Sequence, residues 1–561
     1  GGTMPTYAEA TTDDLNWVVD QFAAAATRVQ QAGLDGIEIH AGHGYLIDTF
    51  LSPAWNHRTD AYGGSIEGRA RLLVEVLEAI RARCGTDFAL MVRLNGLDAA
   101  LKGGITPDLA AQYAAMAADA GADAIHVTAY SSITGGPGFT EGPLPWLDCQ
   151  YEDLARTVKD EVEIPVVAVG RIRPDDAERI LTSGGADLIA MGRQLLADPD
   201  LPNRLAEGRP DLVRPCINCF VCVAQNFWSA APICAVNARL GHQAEPDPGP
   251  VDVPRHVVVV GGGPGGMEAA RVAAERGHRV TLLEKSDHLG GTARFSSLTT
   301  PLNGDLVRWL ATAIAEAGVE IRTGTVASPA MVATLRPEAV VVATGAARRR
   351  PDVPGVNLDH VLSGDDLRVL LTGEGDLGSR QPGIIVRTVL AVGHLLGLTA
   401  DLNRVRSLSR WWMPLGRQIV VVGGGLVGTE LAEFLARRGR TVTVLEDGGD
   451  LATEMAHPRR WRALYEARAH GVDFRTSAHL VAITPNEVVA AVTEGDGVVT
   501  EERFSADAVL LAGGVEPDPS LADAIRIAVG DTVGIHVVGD AEAVGYIEGA
   551  IRTGHVVGCS L

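Results

Sequence analysis

Four cysteines lie close together near the middle of the chain, and their spacing could hold a soft metal centre. They are Cys216, Cys219, Cys222 and Cys234. The first three follow a Cys-x2-Cys-x2-Cys pattern, and the fourth comes after eleven intervening residues. Ligand sets made of thiolates alone suit zinc or an iron–sulfur cluster. Zinc sites more often contain two separated Cys-x2-Cys pairs, so the spacing favours a 4Fe-4S cluster over zinc, and either over unliganded thiols.

A second group of side chains suited to chemistry is His40, His43 and Tyr45, which follows a β-rich run. Two imidazoles can donate hydrogen bonds to a carbonyl oxygen, and a phenol with a pKa of ~10 keeps its proton at neutral pH. Core packing explains such a pattern about as often as a site does, so the residues alone leave both interpretations open.

Two Gly-rich loops each follow an apolar run and open a helix, and the next strand in each copy ends in an acid. Such glycines let the backbone approach a pyrophosphate at the helix N-terminus, and the acid accepts hydrogen bonds from ribose hydroxyls. Two copies in one chain predict duplicated dinucleotide-binding units. The glycines and acids are Gly261, Gly263, Gly266 and Glu284 in the first copy, and Gly423, Gly425, Gly428 and Glu446 in the second.

Glu446 bears on the choice of nucleotide. A carboxylate at this position hydrogen-bonds a ribose 2′-hydroxyl and repels a 2′-phosphate, so the sequence favours NADH over NADPH. The alternative is that Glu446 is a solvated strand end.

The elements that must position these residues alternate along residues 1–210, where β-rich runs and apolar-periodic helices predict a parallel sheet. Polar and glycine residues come at the C-terminal ends of the predicted strands, where a (β/α)8 barrel keeps its active site. Five strands are too few to close a barrel, so we expect an N-terminal part of the barrel to be missing from this sequence. The strand-end residues are His40, Arg93, Gly170, Arg171, Gly192 and Arg193.

Composition limits the kinds of partner. The 561 residues predict three or four domains on a prior of ~150 residues each. A formal net charge of −22 without a basic patch argues against nucleic acid. No apolar run approaches the ~20 residues of a membrane span. The remaining cysteines, Cys84, Cys149 and Cys559, are scattered and imply no disulfide framework, so we expect a soluble protein of the cytoplasm.

Three further runs carry a family resemblance: Ala32–Leu46, Phe50–Pro53 and Asn56–Ser65. They resemble the old yellow enzyme family. With the cysteines and both Gly-rich loops, the chain resembles the multidomain branch that contains bacterial 2,4-dienoyl-CoA reductase and trimethylamine dehydrogenase. The resemblance implies a 4Fe-4S cluster on the four cysteines, FMN in the barrel, FAD in the first Gly-rich unit and NADH in the second.

The implied fold class is α/β: an N-terminally incomplete (β/α)8 TIM barrel followed by two Rossmann-like nucleotide-binding domains. The expected boundaries are residues 1–210 for the barrel, 211–250 for the iron–sulfur segment and linker, 251–355 with 511–561 for the FAD domain, and 356–510 for the NADH domain, with an insertion at 373–414.

The resemblance also implies roles for single residues. His40 and His43 would hydrogen-bond the activating carbonyl of the substrate, and Tyr45 would deliver a proton to its α-carbon. Arg93 would lie against the FMN ring, and the FMN phosphate would be held by Gly170, Arg171, Gly192 and Arg193. FAD would also contact Gly291, Gly539 and Asp540.

The implied reaction is the reduction of an activated C=C bond, with electrons passing from NADH through FAD, the cluster and FMN. The spacing of Cys219 and Cys222 is more like that of trimethylamine dehydrogenase. However, the amine dehydrogenases carry a tyrosine where this chain has His40, and their second Gly-rich loop is degenerate. We therefore expect an enone or enoyl-CoA reductase. The alternatives are an amine or other substrate dehydrogenase that feeds a carrier protein, and a non-catalytic electron-transfer subunit.

The substrate is less well defined by the sequence. The predicted substrate loop, Thr128–Pro145, lacks the histidine expected of a dienoyl-CoA reductase, so a steroid-like or other enone stands beside a CoA thioester. A homo-oligomer is also left open.

Overall fold

A computed structural model describes residues 8–99, 101–131, 148–245, 249–372, 401–495 and 497–561. Most of the predicted substrate loop and of the predicted insertion at 373–414 lies outside these residues. The chain divides into two compact units, Gly1–Gly192 and Arg193–Leu561, which we describe separately. Among the helices of the described residues, none has both the length and the apolar composition needed to cross a lipid bilayer.

The first unit contains a parallel sheet whose five strands lie side by side in chain order. The strands are β1 (Gly36–Ala41), β2 (Ala89–Ala99), β3 (Ala124–Ser131), β4 (Val166–Ala168) and β5 (Leu188–Ile189). Because the strands are parallel, their C-terminal ends share one edge of the sheet. The five predicted strands are thus confirmed, and β2 is longer than the sequence indicates.

Helices follow or precede each of these strands, as expected of repeated βα units. The first begins at a capping box formed by Thr11 and Asp14, and the third is capped by Ser65 and ends before Gly85, which has a φ of 75°. Their apolar faces cover the sheet. They are α1 (Thr12–Gln31), α2 (Leu46–Leu51), α3 (Ile66–Cys84), α4 (Pro107–Asp119), α5 (Glu152–Lys159) and α6 (Pro174–Thr182).

The second unit begins with short helices around the cysteines. They are α7 (Arg193–Ala197), α8 (Leu201–Ala206), a 3-10 turn (Pro210–Leu212), α9 (Val221–Ala224) and a second 3-10 turn (Gln225–Trp228).

The first Gly-rich loop then follows a fully buried strand, His256–Val260. The elements are β6 (His256–Val260), α10 (Pro264–Glu275), β7 (Arg279–Leu283), α11 (Gly291–Ser296), α12 (Leu302–Glu316), β8 (Glu320–Arg322), α13 (Pro329–Thr334), β9 (Ala339–Val342), β10 (Ala347–Arg348) and β11 (Val361–Ser363).

The second Gly-rich loop lies in a similar series. Its elements are α14 (Gly364–Thr372), α15 (Leu402–Leu408), β12 (Gln418–Val422), α16 (Leu426–Ala436), β13 (Thr441–Leu445), α17 (Arg459–Ala469), β14 (Asp473–Arg475), β15 (Ala478–Ile483), β16 (Glu487–Thr493), β17 (Val499–Ser505), β18 (Ala508–Leu511) and β19 (Val515–Glu516). The described part of the predicted insertion therefore includes one helix, α15.

The chain ends with α18 (Ser520–Val529), β20 (Gly534–Val537) and α19 (Tyr546–Ser560). Two five-stranded parallel sheets result, with strand orders β20-β9-β6-β7-β8 and β11-β18-β12-β13-β14. In each sheet the strand order reverses at the central strand, β6 or β12, because later strands are added first on one side of it and then on the other. The Gly-rich loop follows that central strand. This is where open α/β sheets bind nucleotides.

Candidate active site

The three predicted catalytic side chains come together at the C-terminal end of β1. The ring centroid of His40 lies 4.9 Å from that of His43 and 5.2 Å from that of Tyr45. His40 is still within the strand, whereas Tyr45 caps the N-terminus of α2. The short turn between strand and helix therefore places two imidazoles beside one phenol.

A buried polar network holds this turn in an unusual conformation. His43 and Gly44 have φ values of 61° and 74°, and the first is in a region that residues with a Cβ seldom adopt. The His43 N–H donates to Asn95 Oδ1 at 3.1 Å, and the Gly44 N–H donates to Asp48 Oδ2 at 2.8 Å. The His43 ring is fixed in turn by Thr128, whose Oγ1 lies 2.9 Å from Nε2.

Both imidazoles are neutral at physiological pH. Burial, reinforced by the positive charge of Arg93, lowers the pKa of His43 to about 3. The same two causes lower the pKa of His40. A neutral imidazole carries one N–H, which can donate to a carbonyl oxygen. The Tyr45 side chain is 64% exposed, so a substrate can reach it.

Three nitrogen-bearing side chains form a row across neighbouring strands. His40 is in register with Arg93, and Arg93 is in register with His126. His126 Nδ1 lies 2.9 Å from Glu38 Oε2, while its Nε2 is buried and has no hydrogen-bond partner among the described residues. A row of polar nitrogens, one of them buried and without a partner among the described residues, fits the polar edge of a flavin ring, so these residues are compatible with FMN.

The four predicted phosphate-binding residues do not all lie in one unit: Gly170, Arg171 and Gly192 belong to the first unit and Arg193 to the second. Gly170 has a φ of 119°, and a Cβ built on it would lie 2.7 Å from the Tyr151 ring. Arg171 is buried and pairs with Asp148 at 3.0 Å. Gly192 ends the first unit, and nothing lies within 4 Å of a Cβ built on it. Arg193 opens the second unit, where its guanidinium lies 4.4 Å from the centroid of the Phe220 ring.

The four clustered cysteines lie close enough in the second unit for the charge of one thiolate to raise the pKa of another. Left-handed residues at Asn218 and Phe220 (φ 50° and 66°) wrap the chain between the first three. Burial raises the pKa of Cys219 to about 12, and the pKa values of Cys222 and Cys234 to about 11. Metal binding must therefore displace thiol protons.

The surroundings of these sulfurs fit an iron–sulfur cluster. Backbone N–H groups donate to three of them, from Val221 to Cys219, from Val223 to Cys222 and from Val236 and Asn237 to Cys234. Hydrogen bonds to sulfur tune such clusters. In the described part of the chain, no three His, Cys, Asp or Glu side chains are grouped so that they could hold a single metal ion.

The two Gly-rich loops share one hydrogen-bond framework. Glu284 accepts from the Gly262 N–H at 2.7 Å and from the Ser286 N–H at 2.8 Å. Glu446 accepts in the same way from Gly424 at 2.6 Å and from Gly448 at 2.9 Å. In each copy the third glycine, Gly266 or Gly428, is essential, because a Cβ there would lie 2.0 or 1.8 Å from a backbone oxygen of its own loop.

The C-terminal residues predicted to meet FAD form a turn before α19. Gly539 has a φ of 64°, and its N–H donates to Thr553 Oγ1 at 2.8 Å. Asp540 Oδ1 accepts from the N–H groups of Gly545 and Tyr546 at 2.9 and 3.1 Å. This end of β20 lies in the same sheet as the first Gly-rich loop. Gly291, also predicted to contact FAD, begins α11 beside Gly263.

A partly buried ion pair joins the second Gly-rich helix, α16, to α17. Glu430 of α16 pairs with Arg459 of α17 and accepts hydrogen bonds from the hydroxyls of Thr299 and Thr300 at 3.3 and 3.2 Å. The positive charge of Arg459 also opposes the rise in the pKa of Cys219.

Several of these residues do not follow from the motifs. Asn95, Asp48 and Thr128 support the catalytic turn, and Glu430 and Arg459 join α16 to α17. One signal was available for Asp48: it is the only charged residue in the short, mostly apolar segment Leu46–Leu51.

Comparison with known proteins identifies the family. The sequence model of the NADH:flavin oxidoreductase / NADH oxidase family matches residues 3–212, and that of pyridine nucleotide-disulphide oxidoreductases matches 205–332 and 255–542. An NADH oxidase of Thermoanaerobacter brockii is 34% identical over 568 residues, which cover 99% of this chain and 79% of that protein. The chain belongs to the NADH:flavin oxidoreductase / NADH oxidase family. It is accordingly an α/β oxidoreductase that binds flavin and NADH, which confirms the predicted class and fold.

Two further relatives of this NADH:flavin oxidoreductase cover most of its length. A cinnamate reductase of Clostridium sporogenes is 31% identical over 98% of this chain and 78% of that protein. The solved structure of a 2-naphthoyl-CoA reductase with 2-naphthoyl-CoA has a TM-score of 0.83 at 28% identity, and the match covers 99% of this chain and 77% of that one. The resemblance to the multidomain branch of the old yellow enzyme family is confirmed.

Proposed function

We propose that this protein is an NADH-dependent ene-reductase that reduces the C=C bond of a small α,β-unsaturated carbonyl compound. The observation that carries the proposal is the group at the end of β1, where two neutral imidazoles lie beside an exposed phenol. The relatives that reduce cinnamate and 2-naphthoyl-CoA support a substrate whose unsaturated bond is conjugated to a carbonyl group.

The substrate carbonyl is held by the two imidazoles. Neutral His40 and His43 each donate one N–H to the carbonyl oxygen, which draws electron density from the double bond and makes its β-carbon electrophilic. The left-handed turn held by Asn95 and Asp48 fixes the direction of the His43 ring. Because this geometry exists before the substrate binds, little reorganisation is needed in the transition state.

Tyr45 holds the proton that the α-carbon must receive. The phenol lies at the first turn of α2, beside His40, and it is open to solvent. It can therefore be reprotonated from water after each turnover. Arg93, opposite His40, would provide a positive charge beside FMN.

When bound, the flavins and the iron–sulfur cluster supply hydride and single-electron transfer between NADH and the substrate. We assign FMN to the barrel residues 1–210, FAD to 251–355 with 511–561, and NADH to 356–510. Gly263 and Glu284 would hold FAD, and Gly425 and Glu446 would hold NADH. The 4Fe-4S ligands are Cys216, Cys219, Cys222 and Cys234.

Anaerobic rapid mixing tests the proposal. NADH alone should bleach the visible flavin absorbance, and subsequent addition of an enone or cinnamate-type acid should restore it. A matched experiment with NADPH should bleach more slowly, because Glu446 repels the 2′-phosphate. Bleaching by a methylated amine but not by NADH would instead establish the dehydrogenase alternative, and would overturn the reductase.

Metal analysis tests the cluster independently of turnover. The purified protein should contain iron and acid-labile sulfide in equal amounts, and Cys219→Ser should lose both. Stoichiometric zinc without iron would contradict the assignment.

A further inference from the structure

The loop after β13 places a carboxylate in the cradle of the second Gly-rich loop. Glu454 Oε2 accepts from the N–H of Leu426, the first residue of α16, at 3.2 Å. A Cβ built on Gly425 would lie only 2.9 Å from Glu454 Oε1. The carboxylate therefore fills the space in front of Gly425 and the helix N-terminus. That space is where such a loop holds a pyrophosphate.

The first copy leaves the equivalent space open. Nothing lies within 4 Å of a Cβ built on Gly263, the counterpart of Gly425. The two loops share a backbone bond, since the Gly290 N–H donates to the Gly262 oxygen and the Ala452 N–H to the Gly424 oxygen, both at 2.8 Å. They differ at the start of the helix, where Pro264, which has no N–H, is the counterpart of Leu426. The gap-free alignment of Glu284 with Glu446 and of Gly290 with Ala452 pairs Thr292 with Glu454.

We propose that Glu454 is an internal competitor for the pyrophosphate of NADH and thereby determines the affinity of the nucleotide site. This inference rests on the proposed function, in which the second unit binds NADH. The pyrophosphate is negatively charged and needs the same Leu426 N–H as the carboxylate. The two groups cannot occupy the cradle together, so the nucleotide must displace Glu454 each time it binds.

Tyr546 is a second hydrogen-bond partner of the Glu454 carboxylate. This residue begins α19 with a φ of 55°, and its phenol lies against Glu454. Burial, together with the carboxylates of Glu454 and Asp540, raises the pKa of Tyr546 to about 12, so the phenol remains a donor. Glu454 is itself exposed. When the pyrophosphate takes the Leu426 N–H, the carboxylate can keep its hydrogen bond with the Tyr546 hydroxyl.

Calorimetric titration of the loaded enzyme with ADP-ribose tests the inference without turnover, because ADP-ribose has the pyrophosphate but no nicotinamide. We expect two variants, Glu454→Gln and Glu454→Thr, to bind ADP-ribose about tenfold more tightly than wild type. Threonine is the residue that the first copy has at this position. Adenosine, which lacks phosphates, should bind all three equally.

The matched control is Asp450→Asn. Asp450 lies on the same loop with an 81% exposed side chain, and the substitution removes the same charge. It should leave ADP-ribose binding unchanged. Equal ADP-ribose affinities for wild type and both Glu454 variants would overturn the inference. It would also be overturned if Asp450→Asn tightened ADP-ribose binding as much as the Glu454 variants do, or if those variants tightened adenosine binding as much as ADP-ribose binding. If ADP-ribose bound neither wild type nor any variant, the assignment of NADH to this unit would itself be wrong.

Discussion

The buried carboxyl group of Asp48 makes the stability of the barrel unit depend on pH. Asp48 and Asp98 are both buried, and Asn95 lies between them, with its Nδ2 3.0 Å from an oxygen of each. Burial, and secondly the charge of Asp98, raise the pKa of Asp48 to about 7, although the Gly44 N–H and the Asn95 amide partly offset the rise.

The sign of the effect follows from linkage. The ordinary pKa of the group is 3.8, so the folded protein holds this proton more tightly than the unfolded chain does. The free energy of unfolding should therefore fall as the pH rises from about 4 to about 7, and then level off. One pKa unit corresponds to about 1.4 kcal/mol, so the part of this loss between pH 5 and pH 8 is about 3 kcal/mol.

Asp48→Asn should remove that loss, because a neutral amide resembles the protonated carboxyl group. Relative to wild type, the variant should gain about 3 kcal/mol between pH 5 and pH 8. Urea unfolding of the intact enzyme, read by pulse proteolysis through peptides of residues 36–192, measures this quantity. Asp87→Asn, at an exposed carboxylate, is the control. If the free energies of unfolding of Asp48→Asn and wild type differed by the same amount at pH 5 and at pH 8, the reasoning would be refuted.

Three further substitutions separate the parts of the enzyme. Tyr45→Phe should slow substrate reduction at least tenfold and leave NADH-driven bleaching intact; equal loss in both half-reactions, by stopped flow, would contradict its role. Gly428→Ala, whose Cβ would lie 1.8 Å from the Gly423 oxygen, should abolish NADH-driven bleaching but not turnover with dithionite. Glu268→Gln should destabilise the second unit by about 1–3 kcal/mol, because the buried Arg271 then keeps only Glu275 as a charged partner; an unchanged thermal midpoint would argue otherwise.

The local elements were predictable because their signals are local. The β-rich runs and apolar-periodic helices of residues 1–210 predicted the alternation of strands and helices seen in the first unit, and the Gly-rich loops located β6 and β12. The sequence analysis placed Arg93 at the C-terminal end of a strand, yet β2 continues to Ala99. Asn95, Gly96 and Asp98 are poor strand formers by composition. Pairing with β3 across an irregularity, and the network around Asn95, stabilise the extension.

The supporting contacts of the site could not be predicted, because they join residues far apart in the chain. Asn95 reaches Asp48 over 47 positions, and Glu430 meets Thr300 over 130. No pattern within either segment marks these pairs. The three catalytic side chains, by contrast, fall within six residues of one turn, so their meeting follows from the strand and helix on either side.

The difference between the two Gly-rich loops, by contrast, is visible in the sequence once the copies are aligned. The glycines and the acids that hold the frame are shared, so the motif alone predicts the same binding in both. The side chain eight positions after the acid differs, and it is the neutral Thr292 in one copy and Glu454 in the other. An open cradle suits a flavin that stays bound, whereas a cradle that contains its own carboxylate suits a nucleotide that must leave after each hydride. The distinction between a resident cofactor and an exchanging substrate can thus depend on a single residue outside the motif.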